Sequence, residues 1–173
     1  NSAVDAILAG GDPAEVVFRV NEEPIDPAKI EAVGLAVTTY ERQYVGELKV
    51  PNAAQWIYNK VAVRKEPAVV WVYHQNVADA LEAVLDKMEI AGKPVRYALI
   101  NSKNNNTPKQ KGAIVEAFQA GKLDVVVGSE SMAEGVTLVR ANEALFTEYW
   151  WMPGKLTQAQ DRIFRVGQKE DVR

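Results

Sequence analysis

The sequence predicts an α/β three-layer sandwich with a mainly parallel sheet. Three observations in its 173 residues carry that expectation. Short runs of apolar residues alternate with segments of helical periodicity. One of these runs, Ala68 to Tyr73, is apolar at every position, as in strands covered on both faces. The connections are short and carry helix start and stop signals.

Each element follows in order. Asn1 to Ala9 reads as a short helix ending at Gly10-Gly11, and Glu15 to Val20 as a strand. Asp26-Pro27 reads as an N-cap followed by proline at the first helical position, opening a helix to about Leu48. Pro51-Asn52 breaks it, and a second helix runs to about Arg64. After the strand at Ala68, Asn76 is the expected cap of a helix whose apolar stripe is Val77, Leu81, Val84, Leu85 and Met88. Gly92 and Pro94 end that helix, and Val95 to Ile100 is a second strand. Asn101 to Asn106 is a polar loop whose asparagines tolerate left-handed backbone angles. Thr107-Pro108-Lys109-Gln110 has the form of a capping box with proline at the first helical position. Ile114, Val115 and Phe118 face inward from that helix, and Gly121 stops it. Leu123 to Val127 and Ala144 to Phe146 are further strands, and a last helix spans about Lys155 to Val166.

Composition narrows the function. Apolar residues make up 47% and charged residues 25%, which excludes a disordered chain, a collagen and a coiled coil. With no cysteine, disulfides, thiolate metal sites and cysteine nucleophiles are excluded. The single histidine, His74, argues against a histidine-rich metal site or a Ser-His-Asp triad. The net charge of −3 is not that of a generally basic nucleic-acid binder, so any such surface is local. No apolar run has the length of a membrane span, and no leader pattern opens the chain. An intracellular setting is therefore expected, with no membrane partner.

Phosphate-binding signatures are missing. The Gly-Lys pairs at 92, 121 and 154 lack the preceding glycine of a phosphate-binding loop, and Gly-x-Gly-x-x-Gly is absent. Two other segments stand out. Gly128 to Leu138 follows the third strand of the regular region. Gln158 to Gln168 lies on the last helix, where Gln158, Arg162 and Arg165 share one face. Guanidinium groups in such a row suit a phosphate presented by a neighbouring surface, since they bind it through two parallel hydrogen bonds.

Gln158-Ala159-Gln160-Asp161-Arg162-Ile163-Phe164-Arg165-Val166-Gly167-Gln168 resembles the last motif of Swi/Snf-type DNA translocases among the superfamily-two helicases. Gly128 to Leu138 resembles their preceding motif. Phe146 to Gly154 resembles their strand followed by Trp-Asn-Pro, and Val70 to Gln75 the motif that opens their second motor lobe. The residues around Glu148 and Gln158 to Arg162 are most similar to the annealing-helicase branch. More weakly, Val16 to Val20 with Ile25-Asp26 resembles the passage from the first lobe to the second.

The resemblance implies a RecA-like lobe, a P-loop NTPase fold lacking its own phosphate-binding loop. Residues 67–173 would form the second lobe, and residues 1–66 the end of the first lobe, a linker and the leading helices. Arg165 would be the arginine finger for ATP held on the first lobe, with Arg162 beside it. Gln158, Glu134 and Gly135 would lie at the nucleotide. Ser129, Lys111 and His74 would contact the DNA backbone, although His74 at a strand end also reads as a hydrogen-bonded structural residue. ATP and Mg²⁺ would be held mainly by the first lobe, joined in cis or in trans, in a bacterial or phage-infected cytoplasm or in a nucleus. The isolated chain would hydrolyse little or no ATP. Phe164 replaces the family histidine, Met152 the asparagine of Trp-Asn-Pro, and Thr137 the asparagine that precedes leucine. Trp150 and Trp151 read as packing residues. A stand-alone regulatory module derived from a helicase lobe, or an unrelated small-molecule domain, are the competing expectations.

Overall fold

The structure, a computed structural model, describes residues 27–103, 107–133, 136–150, 152–164, 168 and 172, with the side chains of 27–31 left aside. The expected first helix and strand before Asp26, the loop Asn104 to Asn106, and Trp151 lie outside the described residues. The chain divides into two compact units, residues 1–45 and 46–173.

Helix α1 is Pro27–Leu48, and its part in the first unit carries stacked rings of Tyr40 and Tyr44, one turn apart, at 6.5 Å. All other elements among the described residues belong to the second unit. Helix α2, Val50–Tyr58, resumes after a single residue, Lys49. Pro51 sits in its first turn, so proline opens this helix rather than breaking the previous one. A π-helical turn, Asn59–Val63, extends it. Strand β1, Ala68–Trp71, follows, then helix α3, Gln75–Leu85. Its N-cap is His74, not Asn76, whose amide instead donates to Glu47 at 2.7 Å. The buried stripe of α3 is Val77, Ala78, Leu81 and Leu85; Val84 faces solvent.

After α3 the chain makes a small antiparallel hairpin, β2 (Glu89–Ile90) and β3 (Lys93–Pro94), where only a helix end was expected. Ala91 and Gly92 both have positive φ, 53° and 73°, the requirement of a primed two-residue turn. Strand β4, Tyr97–Ile100, leads to helix α4, Pro108–Gln119. The capping box of α4 forms in full: the Gln110 amide donates to the Thr107 hydroxyl, and the Gln110 side chain accepts from the Thr107 amide. Gly121, at φ +73°, ends the helix. Strand β5 (Val125–Gly128), a 3₁₀ turn (Glu130–Ala133), strand β6 (Ala144–Phe146) and helix α5 (Pro153–Gln160) complete the unit.

The four-stranded sheet has the order β4-β5-β1-β6 and every pairing is parallel. Alternation along the strands divides the core. Ala68, Val70, Val72, Val125 and Val127 point to the face covered by α2 and α3. Val69, Trp71 and Val126 point to the face carrying Phe118 of α4 and Ala159 of α5. This is the three-layer, RecA-like α/β arrangement. The register pairs Trp71 with both Gly128 and Phe146, and Gly128 with Ile100. The carboxyl ends of all four strands are therefore level, and the loops after them gather on one edge, where ligands bind in open α/β sheets.

Candidate functional site

Two open depressions in the second unit concern the expected site residues, one beside α5 and one on that edge. The first, of about 550 Å³, is lined by Gly154, Thr157, Gln158, Asp161, Arg162 and Phe164. Its geometry follows from how α5 and the turn after it are anchored. Ala159 and Ile163, four residues apart, are buried in the core. That burial turns the neighbouring pair Gln158 and Arg162 toward the depression. The amide of Leu138, itself fully buried, donates to the carbonyl of Arg162 at 2.8 Å. Arg162 Nη1 lies 3.5 Å from the carbonyl of Val136. The Arg162 side chain is half-buried and borders the depression. Asp161 adds one carboxylate to the rim, and Phe164 is 70% exposed beside it.

The second depression, of about 510 Å³, is lined by Tyr73, Ser102, Ser129, Glu130, Ser131 and Lys155. It lies across the ends of β1, β4 and β5. The Ser129 amide donates to the Ile100 carbonyl at 2.9 Å, and the hydroxyls of Ser129 and Ser131 are 3.1 Å apart. Gly128 permits this turn, because a Cβ there would lie 2.2–2.8 Å from atoms of Met132, which is packed beneath. Lys111 donates its ammonium to the Ser131 carbonyl. It is thus beside Ser129, but holding the serine turn. Lys155 Nζ lies 3.4 Å from Glu130 Oε1 across the depression.

His74 is placed differently. Its Nδ1 pairs with Glu148 Oε1, while Glu148 Oε2 accepts the amides of Tyr73 at 2.8 Å and His74 at 3.0 Å. Both side chains are largely buried. Glu148 therefore fastens the end of β1 to the chain leaving β6, a role no local sequence signal announces. Arg165, Glu134 and Gly135 lie outside the described residues. Of the expected nucleotide group, Gln158 and Arg162 meet in one depression. Of the expected DNA group, Ser129 and Lys111 meet at the other, and His74 sits next to its Tyr73 wall. Trp150 is buried, its ring edge-on to Trp71 at 5.6 Å.

The strongly perturbed carboxylates lie at the opposite end of the sheet. Glu143, just before β6, receives two hydrogen bonds from Arg64, at 2.8 and 3.0 Å, and one contact from buried Lys60 at 3.0 Å. The Arg64 hydrogen bonds, then those of Lys60, hold its carboxyl down at about 2. Glu66, just before β1, is also held low, chiefly by Lys60. This cluster ties the π turn to the amino ends of β1 and β6, a structural clamp rather than a reactive centre. Among the described residues, no group of three or more histidine, aspartate or glutamate side chains is placed to hold a metal ion. No helix among them is long and apolar enough to cross a membrane.

Comparison with known proteins agrees with the fold. Residues 53–167 match the family described as helicase conserved C-terminal domain. The SWI/SNF-related matrix-associated actin-dependent regulator of chromatin subfamily A-like protein 1 of Bos taurus is 28% identical over 127 residues. That match covers 73% of this chain and 13% of the bovine protein. The putative ATP-dependent helicase/translocase YwqA of Bacillus subtilis is 25% identical, over 65% of this chain and 12% of its own length. The chain thus spans about an eighth of these relatives. Among solved structures, the C-terminal part of the Fun30 ATPase domain superposes with a TM-score of 0.62 at 21% identity, covering 72% of this chain and 38% of that one. The Pyrococcus furiosus Hef helicase domain superposes at 0.51 and 17% identity, covering 95% and 31%.

Proposed function

The chain belongs to the helicase conserved C-terminal domain family, as the C-terminal lobe of a Swi/Snf-type superfamily-two helicase, and on that premise we propose that it completes an ATP site whose phosphate cradle lies on another lobe. Residues 67–173 act as the second motor lobe, and residues 1–66 as the end of the first lobe, linker and leading helices. The reaction of the whole motor is ATP hydrolysis coupled to movement on double-stranded or forked DNA.

The observation that carries this reading is the open depression bordered by Arg162 and Gln158. Its donors fit a triphosphate tail: a guanidinium gives paired hydrogen bonds to phosphate oxygens, and the Gln158 amide adds a neutral donor. Asp161 balances the charge of Arg162 within the rim, so Arg165 is needed for excess positive charge. Arg165 serves as the finger and Arg162 as its neighbour, while Glu134 and Gly135 border the ribose. ATP with Mg²⁺, bound on the first lobe, supplies the phosphoryl group that is transferred to water. These arginines neutralise charge spreading onto the phosphoryl oxygens only when the lobes close, which couples hydrolysis to closure. Reopening then advances the DNA, held along the Ser129 edge with Lys111 and His74 supporting it.

The test is Arg165→Ala in a motor in which this chain follows a first lobe bearing a phosphate-binding loop. DNA-stimulated turnover falls by roughly 10³-fold or more, while ATP binding and the fold are retained. Unchanged turnover overturns the assignment.

A further inference from the structure

The Ser129 depression contains one feature that a DNA-contacting edge does not need, an acidic side chain facing its lysine. Glu130 and Lys155 come from different elements, the 3₁₀ turn after β5 and the first turn of α5. Their charged atoms are 3.4 Å apart and both side chains keep partial exposure, 31% for Lys155 and 40% for Glu130. Lys111, also at this edge, is directed at the Ser131 carbonyl. The hydroxyls of Ser102, Ser129 and Ser131 line the same hollow.

We infer that Lys155 is the phosphate-binding cation of this edge, that Glu130 is a built-in competitor for it, and that Lys111 is a positioning residue that shapes the serine turn. The inference rests on the reading of the Ser129 edge as the DNA side of the lobe. A backbone phosphodiester carries one negative charge, which one ammonium neutralises, and the serine hydroxyls add neutral donors for its oxygens. On binding, Lys155 exchanges the Glu130 carboxylate for the phosphate. The released carboxylate turns to solvent at small cost, because it is already partly hydrated. The exchange has a second consequence. Lys155 sits next to Gly154 on the same helix turn, and Gly154 lines the Arg162 depression. The lysine that meets the phosphate therefore shares a helix with Gln158. The hollow is open and carries a single lysine, which suits one phosphodiester of a longer strand better than the several charges of a free nucleotide.

The experiment uses the whole 173-residue chain and a fluorescently labelled DNA duplex, with affinity read by anisotropy across a salt series. Glu130→Gln is expected to tighten binding roughly two- to fivefold, the scale of one partly exposed ion pair. Lys155→Ala is expected to weaken it and to reduce the slope of log affinity against log salt by about 0.9, the loss of one neutralised phosphate. In the Lys155→Ala background, Glu130→Gln brings no tightening. Ser129→Ala serves as the control for the edge itself. Inorganic phosphate and ATP are added as competitors; displacement of the duplex by either at equal phosphate concentration identifies a free-phosphate site and overturns the DNA-backbone assignment. Binding that Ser129→Ala weakens but that Glu130→Gln and Lys155→Ala leave unchanged overturns the inference alone. Absence of DNA binding by every form overturns the reading of the edge, and the inference falls with it.

Discussion

The amide of Leu138 donates to the carbonyl of Arg162 at 2.8 Å, so the strand of chain that follows Val136 is fastened to the turn carrying the candidate arginine. The bond uses only backbone atoms. It leaves the guanidinium at the border of the open depression, with Gln158 one turn earlier on the same side. Position and chemistry of Arg162 are therefore separable by mutation.

Arg162→Ala is expected to leave the fold intact, since the side chain lies half-buried at the edge of a hollow and the turn that carries it is held through backbone atoms. In a motor completed by a first lobe, ATP turnover drops on the order of 10³-fold if the guanidinium acts on the phosphoryl group. Thermal denaturation and steady-state turnover measured together separate this from simple destabilisation.

Lys60→Ala is expected to destabilise the second unit strongly. Lys60 is 1% exposed and faces Glu66, Glu143 at 3.0 Å and the Asn142 amide oxygen at 3.0 Å. Its removal leaves two carboxylates at one site with only Arg64 between them. The cost is about 3 kcal/mol, and the melting temperature falls by about 6–12 °C. Calorimetry or circular dichroism on the whole chain reads the shift.

Acid unfolding carries the signature of Glu143. Its folded value of about 2 lies below the ordinary 4.5, so the charged form is the one the fold stabilises. That stabilisation is complete above the unfolded value and is lost as pH falls from there through the folded value. Urea denaturation at stepped pH should show stability declining over that window in the wild type. Glu143→Gln lowers stability at neutral pH and flattens the decline.

Gly128→Ala is expected to cost about 1–3 kcal/mol, because the new methyl group collides with Met132, including its Cβ at 2.8 Å. Combined with Met132→Ala, the total loss is smaller than the sum of the two single losses. A double-mutant cycle by chemical denaturation checks this, and additive losses would show that the thioether end of Met132 is not the obstacle.

Much of this protein was legible along the chain. The parallel strands announced themselves as apolar runs, and the Thr107 capping box formed as written, because both signals act between near neighbours. The ordered motifs from Val70 to Gln168 likewise pointed to a helicase lobe. Legibility failed where two local signals compete. Asn76 is as good a cap as the chain offers, yet His74 takes the position. Glu148 accepts the His74 amide from across the sheet and sets the helix start, while Asn76 reaches Glu47. Val84 satisfies the helical spacing but turns outward, the stripe being completed by Ala78. The Ala91-Gly92 hairpin was missed because glycine and proline mark a turn without naming its kind.

The sequence by itself determined the order of strands and helices, the two-sided burial of the sheet and the family of the lobe. These depend on periodicity and on short spacings that survive in any register. Only the tertiary structure decided which distant charges meet: Glu148 with His74, Glu143 with Lys60, Glu130 with Lys155. Such pairs form when strand register and helix docking bring groups far apart in sequence within a few ångströms, and in the first two pairs also strip most of the water from them. Burial then rewards a partner and penalises its absence, and neither effect leaves a trace in the residues on either side.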